Sequence, residues 1–186
     1  MLDSLQLREQ TLVLLAVCTG LRMSELFGLK WLDVNFQAGE IDVTRSIVMQ
    51  VVGPCKTEAS QKPIPLDARL GDALRAWRRH TKYAGHNDWI FASPAVQGRW
   101  PYWGQPIMRN VIQPKALELG IKKRFGWHTF RHTYSTLLRA NRTDIKVQQE
   151  LLRHASSRVT MDTYTQAVTV QKRRARSTIV RLIRPS

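Results

Sequence analysis

Leu5, Leu12, Leu15 and Ala16 fall at helical spacing, and the pattern predicts a buried helix over residues 5–18. Thr19-Gly20 stops it, and Met23-Ser-Glu-Leu-Phe-Gly reads as a second, short helix with Arg22 at its start. From Trp31 to Gln50 the pattern changes. Val34, Phe36, Ile41, Val43, Ile47, Val48 and then Val51 are strand-type residues, with Ala38-Gly39 as a turn. Gly53-Pro54 breaks that run, and Lys62-Pro-Ile-Pro-Leu reads as a short edge strand. The expectation is one small antiparallel sheet with Lys56 in the loop before its last strand.

Helical spacing then returns. Asp67 is placed to cap a helix over residues 68–82 that carries Leu70, Leu74 and Trp77 on one face. Residues 84–104, rich in Gly, Pro and Trp, read as loop with a short extended piece at Trp89-Ile-Phe. A helix over 106–119 stops at Gly120, and Thr129–Arg139 forms another, with Asn141 at the left-handed position beyond it. Thr143-Asp144 starts a helix through Leu152, and a short one follows near Ser157–Tyr164. The fold class is mainly α with a small antiparallel β-sheet (α+β).

Charge sharpens this picture. Lys and Arg number 29 against 14 acids, a formal net charge of +15, which favours a polyanionic partner. Cys18 lies in an apolar helical run and reads as core; Cys55, before Lys56, reads as an exposed loop residue. Two unpatterned cysteines make neither a disulfide framework nor a zinc site, and they fit a reducing cytosol. The longest apolar run, Leu12 to Cys18, is far short of the ~20 residues of a membrane span. The N-terminal residues lack the basic-then-apolar form of a signal peptide. A soluble cytoplasmic protein is expected.

The chemistry sits in scattered strings. In Thr19-Gly-Leu-Arg-Met-Ser-Glu-Leu, an arginine just past a glycine turn can grip a phosphate with its fork, and Glu25, three residues on, can hold Arg22 in place. Lys56, in Cys55-Lys-Thr-Glu-Ala-Ser-Gln-Lys-Pro-Ile-Pro-Leu, can protonate a leaving oxygen, and Lys62 competes for that job. His128 and Arg131 share a helix face at i,i+3 and can reach one anion. His132 is adjacent, is expected to point elsewhere, and reads as structural. A zinc pair at His128 and His132 lacks a helical glutamate and a third ligand. His154 follows a turn after Leu152, and Tyr164 comes ten residues later. A phenol with a pKa of ~10 is a sluggish nucleophile unless cations stabilise its anion or a base takes its proton.

Taken singly, each string fits an ordinary surface ion pair, loop lysine or packing tyrosine. Together and in this order, Thr-Gly-Leu-Arg-x-Ser-Glu-Leu, the lysine before a Pro-x-Pro-Leu-like strand, His-x-x-Arg-His, Leu-x-His and the later Tyr resemble the tyrosine recombinase (phage integrase) family over about residues 5–166. The resemblance implies that family's catalytic-domain fold over 1–166, the family's N-terminal helical DNA-binding domain being absent. A basic segment at 167–186 would dock on its own domain or on a neighbouring protomer. It implies a bacterial or phage origin, double-stranded DNA as partner, a homotetramer on DNA and a monomer off it. No cofactor, metal or membrane is implied. Arg22 and Arg131 would clamp the scissile phosphate, with hydrogen bonds from His128 and His154. Tyr164 would attack, and Lys56 would protonate the 5′ oxygen. Lys62, Lys122, Lys123 and Arg124, with Lys172, Arg173, Arg174 and Arg176, would contact the DNA backbone. Two positions depart from the family pattern: Asn141 replaces a usual glycine, and Arg153 stands where Leu-Gly-His would carry one, so a non-glycine residue must take that turn. Two other readings are a DNA-binding remnant of a mobile element that no longer recombines, and a type IB topoisomerase-like enzyme that rejoins the same strand.

Overall fold

A computed structural model describes residues 1–55 and 62–153, all within the compact unit Met1–Ala155. Helix α1 (Leu7–Thr19) buries Leu12, Val13, Leu15 and Ala16, as its spacing predicts. It ends at Gly20, whose φ of +62° is left-handed and whose N–H returns to the Ala16 carbonyl. Glycine is needed there twice over. A Cβ would be strained at that φ, and it would lie 2.5 Å from the Tyr134 ring. The chain therefore turns sharply into α2 (Met23–Leu26), with Arg22 at the N-cap.

Among the described residues, two small antiparallel sheets replace the single sheet expected. Strands β1 (Val34–Asn35), β2 (Glu40–Ile41) and β5 (Ile64–Pro65) form one, in the order β1-β2-β5, with Ile41 facing both Val34 and Ile64. The turn at Ala38-Gly39 is present, held by the Asn35 side chain, which accepts from the Gln37 and Ala38 amides. Strands β3 (Arg45–Val48) and β4 (Val51–Pro54) form the other. Here the expected break is misplaced. The chain reverses at Met49-Gln50, both with positive φ, and Gly53 and Pro54 pair with Ser46 and Arg45 inside the hairpin. Two-residue hairpin turns favour Asn-Gly or Asp-Gly, so Met-Gln carries no turn signal. Pro54 is tolerated because it ends its strand, where a missing N–H is least costly. Lys56 lies between β4 and β5, outside the described residues.

Asp67 caps α3 (Ala68–His80) by accepting from the Arg69 amide, and Leu70, Leu74 and Trp77 are buried as predicted. The following segment folds inward: Ile90 and Phe91 are core residues, and Trp77 Nε1 donates to the Ile90 carbonyl at 2.7 Å. The next helix is not regular. After α4 (Gly104–Ile107) the chain widens into a π turn over Met108–Ile112, where the Gln113 amide reaches back to Met108, and α5 (Gln113–Glu118) follows. Pro114 supplies the reason, since its ring would clash with the carbonyl four residues back and it has no N–H to donate to it.

Helix α6 (Trp127–Ala140) packs on α1 and buries Trp127, Phe130, Arg131 and Ser135. The left-handed residue beyond it is Arg142 (φ +56°), whereas Asn141 has φ −80°, one residue off the expectation. Helix α7 (Ile145–Leu151) is capped by the Asp144 carboxylate. No helix among the described residues is long and apolar enough to cross a membrane. The expected helix near Ser157–Tyr164 and the basic segment 167–186 lie outside the described residues.

The two cysteines exchange roles. Cys18 is exposed, because it falls on the outer face of α1, while Cys55 is buried and its Sγ donates to the Val43 carbonyl at 3.2 Å. Leaving a strand rather than entering an open loop brings Cys55 inside.

Candidate active site

Three turns converge. The Gly20 turn presents Arg22, the first turn of α6 presents His128 and Arg131, and the end of α7 presents Leu152 and Arg153. Arg131 ties them together: one terminal nitrogen donates to the Gly20 carbonyl and the other to the Leu152 carbonyl. Its side chain is buried, and burial brings its pKa down to about 10, with Arg22 and Arg153 acting in the same sense and Glu25 opposing. It stays a cation at neutral pH. One edge of its fork is thus spent on holding the two turns in place.

Glu25 is the second tie. Its carboxylate is 3% exposed and accepts from the Arg22 amide at 2.9 Å and from Arg22 Nη1 at 2.8 Å, as the i,i+3 spacing suggested. It also accepts from Arg153, whose side chain is 2% exposed. Sequence alone did not place Arg153 there. Burial lowers the Arg153 pKa, while Glu25 raises it. One buried carboxylate thus sits among three guanidinium groups. The positive excess suits an added anion, and Coulomb attraction is stronger at a partly desolvated site than in water.

Arg22, His128 and Arg131 line one cavity of about 370 Å³, walled by Leu21, Trp127 and Gln105. Arg22 keeps 39% of its side chain exposed, so its fork is reachable from solvent. His128 is exposed at the rim. Partial burial, then His132, Arg131 and Arg22, hold its imidazole below the ordinary histidine pKa, so its neutral, proton-accepting form persists into mild acid. His132 does not point elsewhere as expected: its ring stands edge-on to His128, with centroids 4.5 Å apart. The i,i+4 interval on α6 puts the two rings on one face. Among the described residues no group of three or more His, Cys, Asp or Glu side chains is arranged to hold a metal ion.

Lys62 is not at this cavity. It is exposed and lines a separate recess with Val147, Glu150 and Arg153. Lys122, Lys123 and Arg124 are exposed around a third recess, joined there by Arg109. Lys56, His154 and Tyr164 lie outside the described residues.

A phage integrase family model matches residues 1–170, the stretch that contains every residue of this constellation. The chain belongs to the phage integrase family. Among its curated relatives, a tyrosine recombinase XerC-like protein from Caldanaerobacter subterraneus is 30% identical over 92% of this chain and 49% of its own length. Tyrosine recombinase XerD from Listeria innocua is 33% identical over 81% of this chain and 48% of its own length. The chain thus spans about half the length of these relatives. Among solved structures, the Tn1549 transposon integrase in complex with circular intermediate DNA aligns with a TM-score of 0.75 at 23% identity, covering 97% of this chain and 61% of that one. XerA recombinase aligns with a TM-score of 0.70 at 25% identity, covering 97% of this chain and 59% of that one. The expected tyrosine recombinase catalytic-domain fold is therefore the fold observed, helices with small antiparallel sheets. The phage integrase frame also gives the paired Arg22 and Arg131 a shared context: two strings over a hundred residues apart meet at one cavity.

Proposed function

We propose that this chain is the catalytic domain of a site-specific DNA recombinase that cuts and rejoins strands through a 3′-phosphotyrosine. The observation that carries the reading is the meeting of Arg22, Arg131 and His128 on one cavity, with Glu25 beneath Arg22. Fixed cations aimed at one point favour a phosphodiester and, still more, the extra charge of its five-coordinate transition state.

The steps are those that the family resemblance implies for these residues. Arg22 and Arg131 bind the non-bridging oxygens. The Tyr164 oxygen attacks phosphorus in line as its proton passes to neutral His128, and His154 donates a hydrogen bond to the phosphate. The bond from phosphorus to the 5′ oxygen breaks, and the Lys56 ammonium supplies that oxygen with a proton. The products are a phosphotyrosine at the 3′ end and a free 5′ hydroxyl. Attack by the 5′ hydroxyl of another strand runs the step backward and exchanges the strands. The ester retained on Tyr164 makes an external energy source unnecessary. Double-stranded DNA is the partner, and a tetramer on two DNA sites is the working assembly. Lys62 and the exposed Lys122-Lys123-Arg124 run contact backbone phosphates and position the duplex.

The test is incubation of the chain with nicked duplexes in EDTA, followed by denaturing electrophoresis. A DNA-linked protein species is expected; salt-sensitive binding without one would favour the non-recombining DNA binder. The His128 assignment makes a separate prediction. Cleavage should persist below pH 6.5, because the working imidazole has a lowered pKa. His132→Gln removes one lowering influence, so the acid limb should move up toward the ordinary value. An unmoved limb in a pH–rate profile would contradict the role of His128 as proton acceptor.

A further inference from the structure

Arg153 is an expensive choice for its position. Its φ of +51° is left-handed, a region that a Cβ disfavours and glycine accepts freely. Its guanidinium is buried, yet among the described residues Nε and Nη1 have no hydrogen-bond partner. Backbone strain and unmade hydrogen bonds both oppose folding, so glycine would serve the turn better. Among the described residues, its side chain makes one hydrogen bond in return, the donation from Nη2 to Glu25 Oε2.

That oxygen is shared. Glu25 Oε2 also accepts from the Arg22 amide, while Oε1 accepts from the Arg22 guanidinium. Arg153 therefore bears on the group that orients Arg22, across 128 residues of sequence. Alongside it, Arg131 joins the Gly20 and Leu152 carbonyls, so residues 20–25 and 152–153 are tied twice. Arg153 immediately precedes His154 in the chain. Removing the Arg153–Glu25 tie would leave the Glu25 carboxylate one partner fewer to hold it still beside Arg22, and would leave Arg131 as the side chain joining the Leu152 turn to the Gly20 turn among the described residues.

We propose that Arg153 is a positioning residue: through Glu25 it fixes the Arg22 guanidinium and sets the turn before His154 in register with the Arg22–Arg131 pair. Its effect on cleavage rests on the recombinase reading; its effect on the Arg22 segment does not. Arg153 acts through Glu25 and need not touch the phosphate.

Four versions of the chain test this: wild type, Arg153→Gly, Glu25→Gln and the double variant. The first readout is amide hydrogen exchange without DNA. Arg153→Gly should speed exchange in residues 20–26 about tenfold while the rest of the domain changes little, because local opening is separable from global unfolding. The second is the single-turnover rate of covalent adduct formation at saturating DNA. Arg153→Gly should lower it about tenfold with DNA affinity within about twofold, and the loss should largely vanish when Glu25 is already Gln, the mark of residues acting as a unit. Wild type that forms no adduct would sink the recombinase reading, and exchange alone would then decide the tie. Unchanged exchange at 20–26, uniform acceleration that tracks a lower urea midpoint, or a rate loss additive with Glu25→Gln would each overturn the proposal.

Discussion

Tyr164→Phe is expected to abolish the covalent protein–DNA species and leave DNA binding nearly intact. The substitution removes one oxygen and keeps the ring. Any packing or stacking role of Tyr164 would survive, and only the nucleophile would be lost. In the proposed mechanism binding rests on other groups: the positive excess of the chain and the exposed Lys122, Lys123 and Arg124 would supply salt-dependent phosphate contacts. Comparing the binding isotherm and the adduct yield of both proteins at one salt concentration separates the two. An adduct formed by the phenylalanine variant would remove Tyr164 from the mechanism.

Arg22→Ala is expected to slow cleavage at least about a hundredfold, or about 2.7 kcal/mol of transition-state stabilisation, in the range for losing one preorganised donor. The fold should tolerate it. The Arg22 side chain is partly exposed, and Arg153 continues to neutralise the buried Glu25 carboxylate. A rate loss with an unchanged urea midpoint would therefore report on the phosphate clamp and not on unfolding. Near-normal single-turnover cleavage by this variant would contradict the clamp. Arg131→Ala is the poorer probe, since its two carbonyl contacts hold the Gly20 and Leu152 turns and its loss disturbs both.

The contrast between Arg22 and Arg153 shows what could be read from the chain. Arg22 was legible because its setting is local: a glycine turn, a helix start and a glutamate three residues on are all in one string. His128 and Arg131 were legible for the same reason, being one turn apart on α6. Arg153 stood out only as a residue where glycine would suit the turn; its partner Glu25 is 128 residues away, and no local pattern encodes that meeting. A buried arginine paired with a glutamate at the opposite end of the chain is a tertiary fact.

The same distinction runs through the fold. Asp67 and α3 came out as read, since capping and a one-sided apolar stripe are local signals. The hairpin turn did not, because Met49-Gln50 lacks the residues that positive φ usually selects, and the neighbouring Gly53-Pro54 carried a stronger but misleading break signal. For Cys18 and Cys55, neighbours in sequence point to the wrong environments. The outer face of α1 exposes the first, and the path out of β4 covers the second. Sequence adjacency alone points His132 away from the site, whereas the i,i+4 geometry of α6 brings its ring against His128.

The proposed mechanism puts the DNA 3′ phosphate on Tyr164, and sequencing the linked peptide locates that bond. The adduct trapped on a nicked duplex in EDTA would be digested with protease and nuclease and its cross-linked peptide sequenced by mass spectrometry. The expected product is a nucleotide joined through its 3′ phosphate to Tyr164, with a free 5′ hydroxyl on the severed strand. A phosphate on any other residue, or cut DNA whose ends carry no protein, would contradict it.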